Sequence, residues 1–224
     1  MDYEFQFNAV LTHWPALLQG AWVTLYLSAG SMVAGLTIAL CFALVRTSKS
    51  RLGHMAVTSY VEFIRNTPFL VQLLLIFFGL PSLGIRLSPI EAGLLAMTIN
   101  VSAYSTEIVR AGIESIGQGQ LDAGRAQGLR PLQIFFLVVL PPALGAVYPA
   151  LTSQFILMLL SSSVLSAISA EELTAVATNI DSLTFRSIEV YLVVFVMYFA
   201  ISSLFAYVFA LIGKHSFKYA TVGR

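Results

Sequence analysis

The sequence predicts an all-α membrane protein with five transmembrane helices, the N-terminus outside and the C-terminus in the cytoplasm, built as one domain over residues 1–224. Three observations carry this. First, 58% of the residues are hydrophobic and only 10% are charged, against about 25% charged in soluble domains. One soluble core of this length could not cover so much apolar surface. Second, uncharged runs recur at the length of a bilayer crossing. Third, the basic residues gather on alternate connections.

A helix needs about 20 apolar residues to cross a bilayer. Residues 21–45 are uncharged and rich in Leu, Ala and Val, giving span one at about 20–45. Residues 66–85 are uncharged. Starting that span near Ala56 takes in Glu62 and Arg65 and places span two at about 56–80. Residues 92–106 form a shorter run, extended through Glu107 to a third span at about 89–112. Residues 131–170 are all uncharged, long enough for one crossing or two. The last span falls at about 188–213.

Charge decides between one crossing and two. With five spans, Arg46, Lys49, Arg51, Arg110, Arg125, Arg130, Lys214, Lys218 and Arg224 share one side, nine of the twelve Lys and Arg. The other side receives Arg86 and Arg186, and Arg65 stays in the membrane. Lysine and arginine mark the cytoplasmic face. A second crossing in 131–170 would put the basic tail outside, beside the acidic Asp2 and Glu4. One crossing is therefore expected, at about 144–166, with 131–150 partly an interfacial lead-in broken at Pro141, Pro142 and Pro149. The acidic start and the late first apolar run point away from a cleavable signal peptide. The linker "SAISAEELTAVATNIDSLTFRSI" reads as external, with Ser169 a candidate helix cap ahead of Glu171 and Glu172.

The polar residues inside the spans are the candidates for function. On a continuous helix Glu62, Arg65 and Gln72 share one face, with Thr58 and Phe69 beside them. Charges at membrane depth usually face a cavity or a partner. Two readings fit: Glu62 and Arg65 pair near the interface and orient the helix, or this face lines a polar pathway. Span three carries Asn100, Tyr104, Glu107, Ala111 and Glu114 as one stripe, which fits a pathway or a helix seam. Gln154 and Ser161 share a face of span four, followed by Ser162 and Ser163. Such serines line a path or simply bond back to the preceding turn.

Several classes are excluded on motif grounds. There is no GxxxxGK[ST] loop, so no nucleotide or magnesium site of that kind is expected in this chain. His13, His54 and His215 lack metal-ligand spacing. The single Cys41 excludes an internal disulfide and a cysteine cluster. No GxSxG elbow occurs. The basic residues have no aromatic interleaving, so nucleic acid is not an expected partner. No internal repeat stands out.

The stretch "DAGRAQG", followed nine residues later by "VVLP", resembles the EAA loop of ATP-binding-cassette importer permeases, E-A-A-x(3)-G-x(9)-I-x-L-P. Asp122, Ala123, Gly124, Gly128, Val138, Leu140 and Pro141 occupy the matching positions. Asp replaces Glu, Gly replaces the second Ala, and Val replaces Ile. The blocks "EFIRNTPFLVQLLLIFFGLP", "AYSTEIVRAGIESIGQGQ" and "FILMLLSSSVLSAISAEELT" look like those of the polar amino-acid subfamily, the histidine, glutamine and arginine type. One departure concerns Ser161, Ser162 and Ser163, where many relatives carry Lys-Asp-Thr or a similar triplet.

The resemblance spans about residues 20–210 and implies a non-catalytic subunit in the bacterial inner membrane. It further implies a second permease, identical or homologous, and two cytoplasmic ATPases that bind ATP and magnesium. An external solute-binding protein and a polar amino-acid substrate complete the expectation. A cytoplasmic coupling helix is expected at about 118–129, ended by Gly128 in a left-handed turn and by Pro131. Its small residues Ala123 and Gly124 would seat it in a groove of the ATPase. The alternative from another class is a transporter driven by an ion gradient, with Glu62 and Glu107 as carriers; such proteins often show inverted repeats.

Overall fold

The computed structural model describes residues 3–47 and 50–216. Asp2, Lys49, Lys218 and Arg224, which entered the charge argument, lie outside the described residues. The described elements are all helical: α1 (Phe7–Leu11), α2 (Trp14–Thr47), α3 (Arg51–Arg65), α4 (Phe69–Leu83), α5 (Pro89–Glu114), α6 (Gln118–Ala126), α7 (Pro131–Ile168), α8 (Leu173–Thr184) and α9 (Ser187–Ser216).

Helices α2, α7 and α9 are long and apolar enough to cross a bilayer, and the bent pair α3–α4 is a fourth candidate. Helix α5 has 26 residues, about 39 Å at 1.5 Å per residue. It is long enough to cross, but it is not among the helices apolar enough to do so by composition. Three crossing helices and a bent pair as a fourth candidate are thus present among the described residues, and the residues of the expected third span fall on α5.

Span two is not the single helix expected at 56–80. Pro68 has no N–H and disfavours a helical Thr67. The chain breaks at Asn66–Pro68, and the axes of α3 and α4 differ by 106°. Helix α3 starts on a Ser50 cap, whose Oγ accepts from Gly53 N. It buries Val57, Val61 and Ile64. Helix α4 loosens into a π turn at Leu75–Gly79 and ends at Gly84, which takes φ +83°.

Residues 131–150 also differ from expectation. They are not a broken lead-in but the first part of one helical rod, Pro131–Ile168. A π turn at Ile134–Val139 precedes Pro141 and Pro142. The two missing N–H groups therefore fall at the start of the following α segment, where few bonds are lost.

The linker after it is not a bare surface loop. Leu173, Ala177 and Ile180 of α8 are buried with Val10 of α1, Leu17 and Ala21 of α2, and Val190 and Val194 of α9. The cap of α8 is Glu172 rather than Ser169. Its carboxylate accepts from Thr174 N at 2.9 Å and Ala175 N at 2.8 Å. Ser169 sits at φ 58°, ending the preceding turn.

Helix α5 is the centre of the bundle. It runs parallel to α2, with Gly35 facing Val101 and Arg46 reaching Glu107. It runs antiparallel to α7, with Gly112 against Ala143 and Gly93 against Leu165. A Cβ on Gly35 would lie 2.6 Å from Val101 Cγ1, so these backbones approach closely, as small residues permit in membranes. Helix α9 shields one side and leaves Phe195, Phe199 and Tyr207 exposed.

Candidate functional site

The EAA-like loop folds as a short helix seated on the rod. Helix α6 spans Gln118–Ala126 and ends as the sequence implied. Gly128 takes φ +73°; its N–H donates to Arg125 O at 2.9 Å, and Leu129 N–H to Gly124 O at 3.2 Å. This pair of bonds is the Schellman closure. Pro131 then opens α7, where Arg130 N–H donates to Gln133 Oε1 at 2.8 Å.

The faces of α6 differ from the expected arrangement. Ala123 is exposed and Asp122 pairs with Arg125 at 2.8 Å on the open surface. Gly124 is buried and turned inward: a Cβ there would sit 3.2 Å from Ile134 Cγ1 and 3.6 Å from Val138 Cγ2. Gly124 thus seats α6 on the π turn of its own chain. Leu140 is half-buried and Pro141 exposed, one turn further along α7.

At the same end, α2, α3 and α5 flank a cleft of about 280 Å³ lined by Arg46, His54, Thr58, Val61, Glu62, Arg65, Glu107, Arg110 and Glu114. Of the α5 stripe read from the sequence, Glu107 and Glu114 line it. Arg46 bridges the helices, reaching Glu107 at 3.4 Å and donating to Thr58 Oγ1 at 2.8 Å. Arg110 is held by both Glu107 and Glu114. Arg65 lies over the ring of Tyr104, 5.4 Å from its centroid. Glu62 and Arg65 are exposed to the cleft and form no ion pair among the described residues.

Gln72 does not share their face, because the break at Pro68 turns it away. It is buried and donates from Nε2 to Ile64 O at 2.8 Å, Thr67 O at 3.0 Å and Thr67 Oγ1 at 2.9 Å. Asn100 Nδ2 donates to Gln72 Oε1 at 3.3 Å. These two amides hold the bend rather than the cleft. On α7, Gln154 is half-buried. Ser161 Oγ donates to Leu157 O at 2.8 Å, a bond to the preceding turn, and Ser163 does the same to Leu160 O at 2.9 Å. Ser162 is fully buried.

Sequence reading passed over Arg46 and Arg110 as cytoplasmic loop cations, and over His54 and Glu172. Arg46 carries a usable signal: it is the first Asp, Glu, Lys or Arg after Glu4 and directly follows span one, where a long side chain folds back toward the interface. Glu172 is fully buried and also accepts from Tyr198 Oη at 2.8 Å. Burial pushes its carboxyl above the ordinary value, opposed by its backbone and Tyr198 hydrogen bonds. No group of three or more potential metal-binding side chains occurs among the described residues.

A helical bundle bearing a short helix on a glycine seat, at the end where its basic residues gather, defines a membrane transport permease. The chain belongs to the family of binding-protein-dependent transport system inner membrane components, whose model matches residues 17–217. It is 37% identical over 174 residues to the probable glutamine ABC transporter permease protein GlnM of Bacillus subtilis (strain 168), covering 78% of this chain and 79% of that one. It is 32% identical over 207 residues to the glutamine transport system permease protein GlnP of Escherichia coli (strain K12), covering 92% and 94%. A crystal structure of an amino acid ABC transporter with histidines contains a chain that superposes with TM-score 0.86 at 34% identity, covering 95% of this chain and all of that one. A subunit of the methionine transporter MetNI, at 22% identity and TM-score 0.76, shares the fold.

The chain is therefore a non-catalytic permease subunit of an ATP-binding-cassette importer, in which a partner chain hydrolyses ATP. This family membership replaces the ion-gradient alternative. Importers of this family also hold a partner permease and a binding protein.

Proposed function

We propose that this permease carries polar amino acids into a bacterial cell through its inner membrane, forming half of the pathway with a second, identical or homologous copy. Two ATPases dock on α6 from the cytoplasm, and a solute-binding protein delivers substrate from outside. In this reading the chain crosses five times, with its N-terminus outside. The names of the relatives support the substrate class: glutamine for GlnM and GlnP, and L-cystine for TcyB of Bacillus subtilis (strain 168), which is 36% identical over 183 residues. Asp122, Ala123, Gly124, Gly128, Leu140 and Pro141 form the coupling element. Glu62, Arg65, Tyr104 and Glu107 line the path, with Gln154, Ser161 and Ser162 further along it, while Gln72 and Asn100 support it from the bend.

The observation that carries the reading is the placement of α6. It hangs from the rod at the end where Arg46 and Arg110 meet, seated by Gly124 and closed by Gly128. The test is purification of the tagged chain followed by reconstitution. An ATPase should accompany it, and uptake of labelled amino acid should require ATP and survive a protonophore. Uptake lost to the protonophore and indifferent to ATP would overturn the proposal.

A further inference from the structure

The charged cleft is not uniformly committed. Glu107 is shared by Arg46 and Arg110, and Glu114 is held by Arg110. Glu62 and Arg65 are left facing the space with no ion pair among the described residues, although they carry opposite charge and lie three residues apart on α3. Arg65 rests against the Tyr104 ring, a contact that uses none of its N–H donors on an acceptor oxygen. The arginines and glutamates lining the cleft balance: Arg46, Arg65 and Arg110 against Glu62, Glu107 and Glu114.

A net-charged solute entering there would leave one charge without a partner in the cleft. A neutral but doubly charged one would not. The volume, about 280 Å³, accommodates a single amino acid. We infer that this cleft is a binding site for the zwitterionic backbone of the transported amino acid, with Arg65 holding the α-carboxylate and Glu62 the α-ammonium. The site reads the group common to all α-amino acids and leaves the side chain unread. This rests on the amino-acid reading above.

The experiment uses the assembled permease–ATPase complex. ATP-driven uptake of each of the twenty L-amino acids into proteoliposomes, with the binding protein present, is measured first. If none is accumulated, the amino-acid reading fails. The amino acid taken up fastest is then the radiolabelled probe for direct binding to the complex without the binding protein. Unlabelled competitors are the same amino acid, its α-carboxamide and its N-acetyl derivative.

For the unaltered protein both derivatives should compete roughly tenfold or more weakly, since each lacks one charge-assisted contact. In Arg65→Gln the amino acid should weaken to the level of its carboxamide, and in Glu62→Gln to the level of its N-acetyl form. Arg65→Lys should recover part of the loss. The competitor series on the unaltered protein keeps the idea testable if a variant does not assemble. Equal competition by all three compounds there would overturn it, as would no measurable binding alongside normal uptake. A variant that weakens every compound by the same factor would also overturn it.

Discussion

Gln72 donates from its side-chain amide to the main-chain carbonyl of Ile64, 2.8 Å away across the break at Pro68. Ile64 stands in the last turn of α3, where carbonyls lack helical partners. A residue on the next helix supplies one, and Asn100 of α5 holds that residue in turn. Gln72→Leu should remove the amide's bonds to Ile64 O and Thr67 and take away the Gln72 acceptor of the buried Asn100 amide, destabilising the protein by about 1–3 kcal/mol. Thermal denaturation of the purified permease, compared with an exposed control such as Gln19→Leu, checks this.

The seat of α6 gives a graded prediction. In Gly124→Ala the new methyl meets Ile134 at 3.2 Å, a contact a side chain can relieve, so coupling should fall modestly. Gly124→Leu should displace α6 and separate ATP hydrolysis from uptake, raising the ATP spent per solute. Gly128→Ala acts differently. It meets nothing within 4 Å but forces an alanine to φ +73°, costing about 1–2 kcal/mol. It should lower the melting temperature, with a smaller effect on coupling than Gly124→Leu.

Arg46 and Glu107 tie α2 to α5 with side chains only 12% and 26% exposed. Removing Glu107 alone strips a partner from Arg46 and Arg110 together. A double-mutant cycle with Arg46→Gln and Glu107→Gln should give a coupling of about 1–2 kcal/mol, above a surface pair. Chemical denaturation of the four proteins measures it.

Glu172 predicts a pH dependence. Its folded-state carboxyl titrates above the ordinary value because burial penalises the charge. The folded protein therefore binds this proton more tightly than the unfolded chain. The stability from this group is complete below the ordinary carboxylate value and is lost as pH rises through the raised one. The melting temperature of the unaltered protein, minus that of Glu172→Gln, should fall as pH rises across that window. A difference that grows instead contradicts the assignment.

Much of this was legible along the chain. Gly128 followed by Pro131 announces a helix stop, and the structure has it there. The uncharged runs mark the long helices because a bilayer sets their length. The break at Pro68 was present in the sequence, but projecting Glu62 and Gln72 onto one continuous helix overrode it. The π turn at Ile134–Val139 has no local signature, since its residues read equally well as α-helix. The inward face of Gly124 was not readable either, because a glycine shows no preference between its own chain and a partner. Pairing of Arg46 with Glu107 joins positions 61 residues apart, and only the parallel packing of α2 on α5 brings them together.

The rod α7 sets a gearing ratio. Its 38 residues extend about 57 Å, well beyond a hydrocarbon layer of about 30 Å. One end carries the seat of α6, and the other runs into the turn that leads to Glu172 and the cap of α8. A tilt of only ~5° about one end of such a rod sweeps the other by ~5 Å, about one helical turn. If the rod moves as one body, a small angular stroke at the glycine seat would reach the opposite end enlarged to the size of a side chain.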